Sequence, residues 1–267
     1  MAVTRLDDQN ADLLADYRNV PDPELVARRG LFVAEGRLVV TRLLASRRFA
    51  TRSVLVTETA YAALRDAIDR RPDVPAYVVS QRVINDITGF NIHRGCLALG
   101  ERPPSLDWRD LARDGTALVV LERVGNADNV GAVFRNSAAF GVDGVLLGPS
   151  CADPLYRKAI RTSMGAALAL PFATIDEWPD ALRELNDGGW LTIALTPDAA
   201  ALPLRDLAGD ARDRRWALVL GHEGDGLTPA ALAATHRRAR IPMAADVDSL
   251  NVATAAAIAL YEIVRRG

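Results

Sequence analysis

Cysteine, histidine and lysine are scarce in this chain of 267 residues. The two cysteines, Cys96 and Cys151, lie far apart in unlike surroundings. They exclude a disulfide framework and are expected as reduced thiols of a cytoplasmic protein. The three histidines, His93, His222 and His236, show no metal-ligand spacing, so no metal is expected. No apolar run approaches the roughly 20 residues that cross a bilayer. The opening stretch MAVTRLDDQNADLLADYR has no apolar signal core, so neither membrane insertion nor export is expected. Lys158 is the single lysine, and every other basic residue is arginine.

What is present is ordinary for a globular protein: 49% hydrophobic and 25% charged residues. The length suits one large or two ordinary domains. The net charge of −2 conceals an asymmetry, because residues 1–104 carry 15 basic and 13 acidic side chains and the remainder 17 and 21. Arg28, Arg29, Arg37, Arg42, Arg47, Arg48 and Arg52 face the single acid Glu35 between positions 28 and 52. Such clustering marks either a phosphate-binding surface or a solvated helix face.

In chain order, residues 1–30 read as a polar helix or arm broken at Pro21 and Pro23. Short strands over 31–35, 53–56, 76–79 and 96–99 then alternate with helical segments over 36–47, 60–69 and 81–86, which gives a small α/β unit. The polar, proline-containing segment 101–107 reads as a linker. Two domains are therefore expected, 1–104 and 105–267. In the second, apolar strands at 117–121, 144–147, 190–195 and 216–220 alternate with helices at 130–140, 154–163 and 180–186, and a further strand ends at 240–241. Continuous apolar strands between helices imply a parallel sheet covered on both faces.

Three segments in the second domain each follow a strand, which is where open α/β sheets bind ligands. The first is Asn126-Ala127-Asp128-Asn129-Val130-Gly131-Ala132-Val133-Phe134-Arg135. Arg135 lies among Ala, Val and Phe, where a guanidinium needs an anionic or carbonyl partner unless it is a helix-surface residue. The second, Gly221-His222-Glu223-Gly224-Asp225-Gly226-Leu227, spells GxxGxG and not the GxGxxG of dinucleotide folds. Three roles are open to Glu223: capping a helix, pairing with Arg135 or contacting a substrate. The third runs from Ile241-Pro242-Met243 through a short acidic turn to Ser249-Leu250-Asn251 and an alanine-rich helix. Ser249 is expected to cap that helix, and the helix is expected to be buried all round.

Together and in this order, the three segments resemble the SpoU, or TrmH-like, class of the SPOUT superfamily of RNA methyltransferases. The matching positions are Asn129, Gly131 and Arg135; Gly221, Glu223, Gly226 and Leu227; and Ile-Pro-Met followed by Ser-Leu-Asn-Val and a small-residue helix ending at Tyr261-Glu262. Arg161-Thr162-Ser163-Met164-Gly165-Ala166 is similar to a further element of the family, and residues 28–100 resemble more loosely the L30e-like substrate-binding domain that often precedes it. Ala127 departs from the proline common in the family, and His222 falls on one of its variable positions.

The resemblance implies an α/β fold with a deep trefoil knot, a homodimer, and methyl transfer from S-adenosylmethionine to a ribose 2′-hydroxyl of RNA. Ribosomal RNA (23S) is favoured as substrate over transfer RNA. It implies catalytic-site roles for Arg135, Asn129, Glu223, Ser249 and Asn251, with the cofactor held near Leu195, Thr196, Gly221, Ile241, Met243 and Leu250. RNA contacts are expected at Arg28, Arg29, Arg37, Arg42 and Arg161. Two readings compete: a non-catalytic RNA-binding protein on the same fold, and a nucleotide-binding oxidoreductase, against which the missing GxGxxG argues.

Overall fold

A computed structural model describes residues 3–6, 12–18, 21–88, 95–212, 214–244 and 249–264. His93, the acidic turn around Asp246 and Asp248, and parts of the N-terminal arm lie outside the described residues. The chain divides into two compact units, Met1–Pro104 with Pro154–Ala169, and Ser105–Asp153 with Leu170–Gly267. The segment after Asp153 thus packs with the first unit, where a single cut between 104 and 105 would assign it to the second.

The first unit holds a five-stranded mixed sheet in the order Val3–Arg5, Ala76–Val78, Thr51–Val56, Cys96–Glu101, Leu31–Glu35. Pro21 and Pro23 do not break a helix; they start one, Asp22–Arg29. Proline is tolerated in a first turn because the N–H it lacks would have no partner there. Gly30, at φ +63°, ends that helix with its N–H on the Leu25 carbonyl. The inserted segment is tied to this unit by polar contacts. Asp22 accepts from the Arg157 backbone N–H at 2.9 Å, Glu35 pairs with Arg157 at 2.9 Å, and Arg42 donates to the Met164 carbonyl at 2.6 Å.

The second unit holds a seven-stranded sheet in the order Leu202–Pro203, Arg237–Arg240, Leu191–Leu195, Trp216–Leu220, Ala117–Leu121, Gly144–Leu147, Phe172–Thr174. Every neighbouring pair is parallel. The continuous apolar runs are buried on both sets of alternating side chains. Leu118, Val120 and Val219 join a core with Trp108, Leu182 and Trp190, and Val119, Leu121 and Leu218 on the alternate positions are equally inaccessible. The Val252–Val264 helix packs against both the Ala127–Ala139 and the Leu204–Arg212 helices. A parallel sheet brings all its strand-end loops to one edge, and this places the candidate site.

Candidate active site

Leu191–Leu195, Trp216–Leu220 and Arg237–Arg240 are close neighbours in the sheet, and the loops that follow them enclose a cavity of about 350 Å³. All six residues expected to hold a cofactor line it: Leu195, Thr196, Gly221, Ile241, Met243 and Leu250. Glu223 and Ser249 line it as well. The loop over 221–227 closes on itself through reciprocal backbone hydrogen bonds between His222 and Gly226. A Cβ at Gly221 would lie 2.4 Å from the Gly226 carbonyl carbon and the Leu227 nitrogen, so the turn accepts only glycine there.

The three sequence segments meet through side chains. The Val252–Val264 helix is capped by Asn251 and not by Ser249: the side-chain oxygen Oδ1 of Asn251 accepts from the backbone N–H of Ala253 at 2.9 Å and of Thr254 at 3.3 Å. With its oxygen engaged there, the Asn251 amide nitrogen faces away and donates to Asn129 Oδ1 at 2.9 Å. That fixes the Asn129 amide in turn, and its nitrogen donates to Glu223 Oε1. One directional chain therefore runs from the end of the third segment, through the first, to the second. Of the three roles open to Glu223, neither capping nor pairing with Arg135 is the one it takes; it accepts from Asn129.

Asn126 starts the Ala127–Ala139 helix by accepting from the Asp128 backbone N–H at 2.8 Å. Ala127 occupies the first helical position, where alanine serves as well as proline. Arg135 is exposed, and neither a carboxylate nor a carbonyl of a described residue is hydrogen-bonded to it. The expectation of a partner rested on its small, apolar neighbours. Ala138 and Ala139 are themselves exposed, so the helix carries a solvent face made of alanine. The C-terminal helix likewise departs from the expectation of all-round burial: Ala253, Ala256 and Leu260 are inside, while Ile258 and Tyr261 are 40% and 54% exposed.

The arginines read as RNA contacts all belong to the first unit. Arg28, Arg37 and Arg161 are exposed at helix ends, Arg29 pairs with Asp16 at 3.0 Å and Glu24 at 3.6 Å, and Arg42 is partly engaged by the Met164 carbonyl. Ser163, in the element around Arg161, is buried and bonded to its own turn, donating to the Ile160 carbonyl at 2.9 Å.

Sequence reasoning passed over two residues here. His222 holds its loop, with Nδ1 accepting from the backbone N–H of Gly224 at 3.0 Å and of Asp225 at 3.2 Å. Arg123 bridges to Asp225 at 3.1 Å from the neighbouring strand end. Neither carries a signal beyond its position in a glycine-rich turn or at a strand end. Among the described residues, no group of three or more His, Cys, Asp or Glu is placed to hold a metal ion, and no helix is long and apolar enough to cross a membrane.

Residues 116–261 match the model of the SpoU rRNA methylase family. An uncharacterized tRNA/rRNA methyltransferase of Mycobacterium bovis is 41% identical over 98% of this chain and 90% of its own length. A 23S rRNA (guanosine-2′-O-)-methyltransferase of Xylella fastidiosa is 33% identical over 74% of this chain and 80% of its own length. The solved structure of an rRNA methyltransferase from Sinorhizobium meliloti with bound AdoMet superimposes with a TM-score of 0.83 at 25% identity, covering 98% of this chain and 97% of that one. With family model, relatives and the geometry of the three strand-end loops in agreement, the chain belongs to the SpoU rRNA methylase family and is an RNA methyltransferase.

Proposed function

We propose that this protein transfers the methyl group of S-adenosylmethionine to a ribose 2′-hydroxyl of RNA, with 23S ribosomal RNA as substrate. The observation that carries the reading is the hydrogen-bonded chain Asn251–Asn129–Glu223 at the rim of the 350 Å³ cavity. The named specificity of the Xylella fastidiosa relative supports both the 2′-hydroxyl and the 23S substrate.

The donor set fits the cofactor. Apolar side chains of Leu195, Leu227, Leu232 and Ile241 line the cavity and suit a purine, and the glycine-only turn at Gly221 leaves backbone groups open to a polar ligand. When bound, S-adenosylmethionine supplies a methyl group made electrophilic by a positively charged sulfur. The chain's residues provide alignment, which is a large part of the barrier for a weak hydroxyl nucleophile. Glu223, fixed by Asn129, orients the ribose. Ser249 contributes a hydroxyl at the cavity wall. Arg135 binds phosphate or ribose through its exposed, planar guanidinium, so its part is orientation and charge balance.

The same reading includes a cytoplasmic homodimer, the trefoil knot, and an L30e-like first unit that binds RNA through Arg28, Arg29, Arg37, Arg42 and Arg161. The exposed Ile258 and Tyr261 support the dimer as an apolar stripe suited to a second copy.

Mapping 2′-O-methyl groups in total RNA from cells with and without the gene tests the function. The expected result is one methylated ribose lost from 23S RNA. Loss from transfer RNA alone transfers the reading to that substrate, and an unchanged map overturns it.

A further inference from the structure

Glu122 directly follows the Ala117–Leu121 strand, and it is fully buried, at 0% exposure. Oε1 accepts from the Trp178 indole N–H at 2.6 Å and from the Thr228 hydroxyl at 2.7 Å; Oε2 accepts from the Thr228 backbone N–H at 2.8 Å. The Thr228 hydroxyl itself accepts from the Ala231 N–H at 3.2 Å, so its proton is the one given to Glu122. All three partners are neutral donors, and the side chain meets them with acceptors only. The backbone N–H of Glu122 donates to the Leu220 carbonyl at 2.9 Å.

Leu220 and Thr228 bracket the loop 221–227, every residue of which lines the cavity. One residue thus grips both ends of that loop, by its main chain at the start and by its carboxylate at the finish. The loop has no slack at Gly221, where Gly226 and Leu227 press against the position of a Cβ. A shift of Thr228 therefore displaces the cavity wall. We propose that Glu122 is a positioning residue for donor binding, acting through Thr228 and not through Trp178. This rests on the reading of the cavity as the donor site.

Calorimetric titration of the full-length protein with S-adenosylhomocysteine, the demethylated donor, tests it together with thermal unfolding. Glu122→Gln keeps the shape but sets an amide N–H against a donor, and is expected to weaken binding tenfold or more. Thr228→Val is expected to do the same, with no further loss in the double variant because both act on one link. Thr228→Ser, which restores the hydroxyl, recovers affinity. Trp178→Phe lowers the unfolding temperature and leaves affinity within twofold of wild type.

A folded Glu122→Gln variant with wild-type affinity overturns the proposal, as does Trp178→Phe weakening binding as much as Thr228→Val. If Glu122→Gln does not fold, equal affinities of the Val and Ser variants at 228 overturn it. Ala255→Phe, which fills the cavity away from the loop ends, separates the two ideas. Retained binding in that variant removes the donor-site reading, whereas lost binding there with normal binding in Glu122→Gln removes only the role of Glu122.

Discussion

Asn251 gives its side-chain N–H to Asn129, 122 positions earlier in the chain, while its carbonyl oxygen caps its own helix. The cap dictates which way the amide faces, and so which way the Asn129 amide faces toward Glu223.

Asn251→Asp separates these two duties. A carboxylate is a good N-cap and suits the positive end of a helix, so the unfolding temperature should hold or rise slightly. The N–H toward Asn129 is gone, and the Asn129 amide is expected to turn over, aiming its oxygen at Glu223. Single-turnover methyl transfer should fall about 10²-fold, the scale for losing one preorganised donor at a reacting centre. A variant that is both stable and fully active would show that the chain of amides does not orient the site.

Arg135→Ala should leave thermal stability within about 0.5 kcal/mol of wild type, since the side chain is exposed and packs no core. Methyl transfer should drop by about 10²-fold or more, with donor affinity unchanged. Arg135→Lys should recover little, because an ammonium lacks the planar fork that engages phosphate. Near-normal turnover in Arg135→Ala would leave an ordinary surface arginine.

Reversing charge at Arg37 and Arg161 together should weaken RNA binding and reduce the slope of log affinity against log salt by about 0.7–0.9 for each phosphate left without its cation. Donor affinity should not move. An unchanged salt slope would make these residues a solvated face.

Ile258→Glu with Tyr261→Glu places charge on the exposed apolar stripe of the last helix. Sedimentation should show a dimer for the unaltered protein and a monomer for this variant. A dimer that persists in this variant places its interface elsewhere.

Burial raises the thiol of Cys151 from its ordinary 9.0 to about 11. The neutral thiol is the form the folded state favours, so its contribution to stability is complete below pH 9 and disappears as pH climbs toward 11. Alkylation of the native protein should be slow at pH 8 and accelerate only near pH 11. A midpoint at pH 9 would mean the thiol is open to water.

The strands of the second unit were legible because a strand buried on both faces must be apolar throughout, and Ala117–Leu121 and Trp216–Leu220 are. The Trp108–Asp114, Leu204–Arg212 and Pro229–Ala234 helices escaped notice. They are short, and the last two are rich in alanine or interrupted by Gly209, so periodicity has little to act on. Alanine also misled at Arg135 and in the last helix, because a small side chain fits a core and a solvent face alike. The membership of Asn129, Glu223 and Asn251 in one site could be read through resemblance. Their direct contact could not, since 122 positions separate Asn251 from Asn129 and 94 separate Asn129 from Glu223.

Residues 154–169 pack with the first unit, yet they are encoded after the first two strands and first two helices of the second. On the ribosome, the first unit cannot complete itself when residue 104 emerges; it waits for another 65 residues. Until then Leu31–Glu35 lacks one of the helices that pack on it, Arg157–Thr162. A gene fragment cut at the linker would inherit the same defect permanently. The 1–104 piece would expose the strand on which Arg157–Thr162 packs, and the 105–267 piece would carry Ala159 and Ile160, buried in the intact chain, without that strand. Expressing either unit separately calls for moving the segment, by joining residues 154–169 to the end of the first unit and closing the second across 153 and 170.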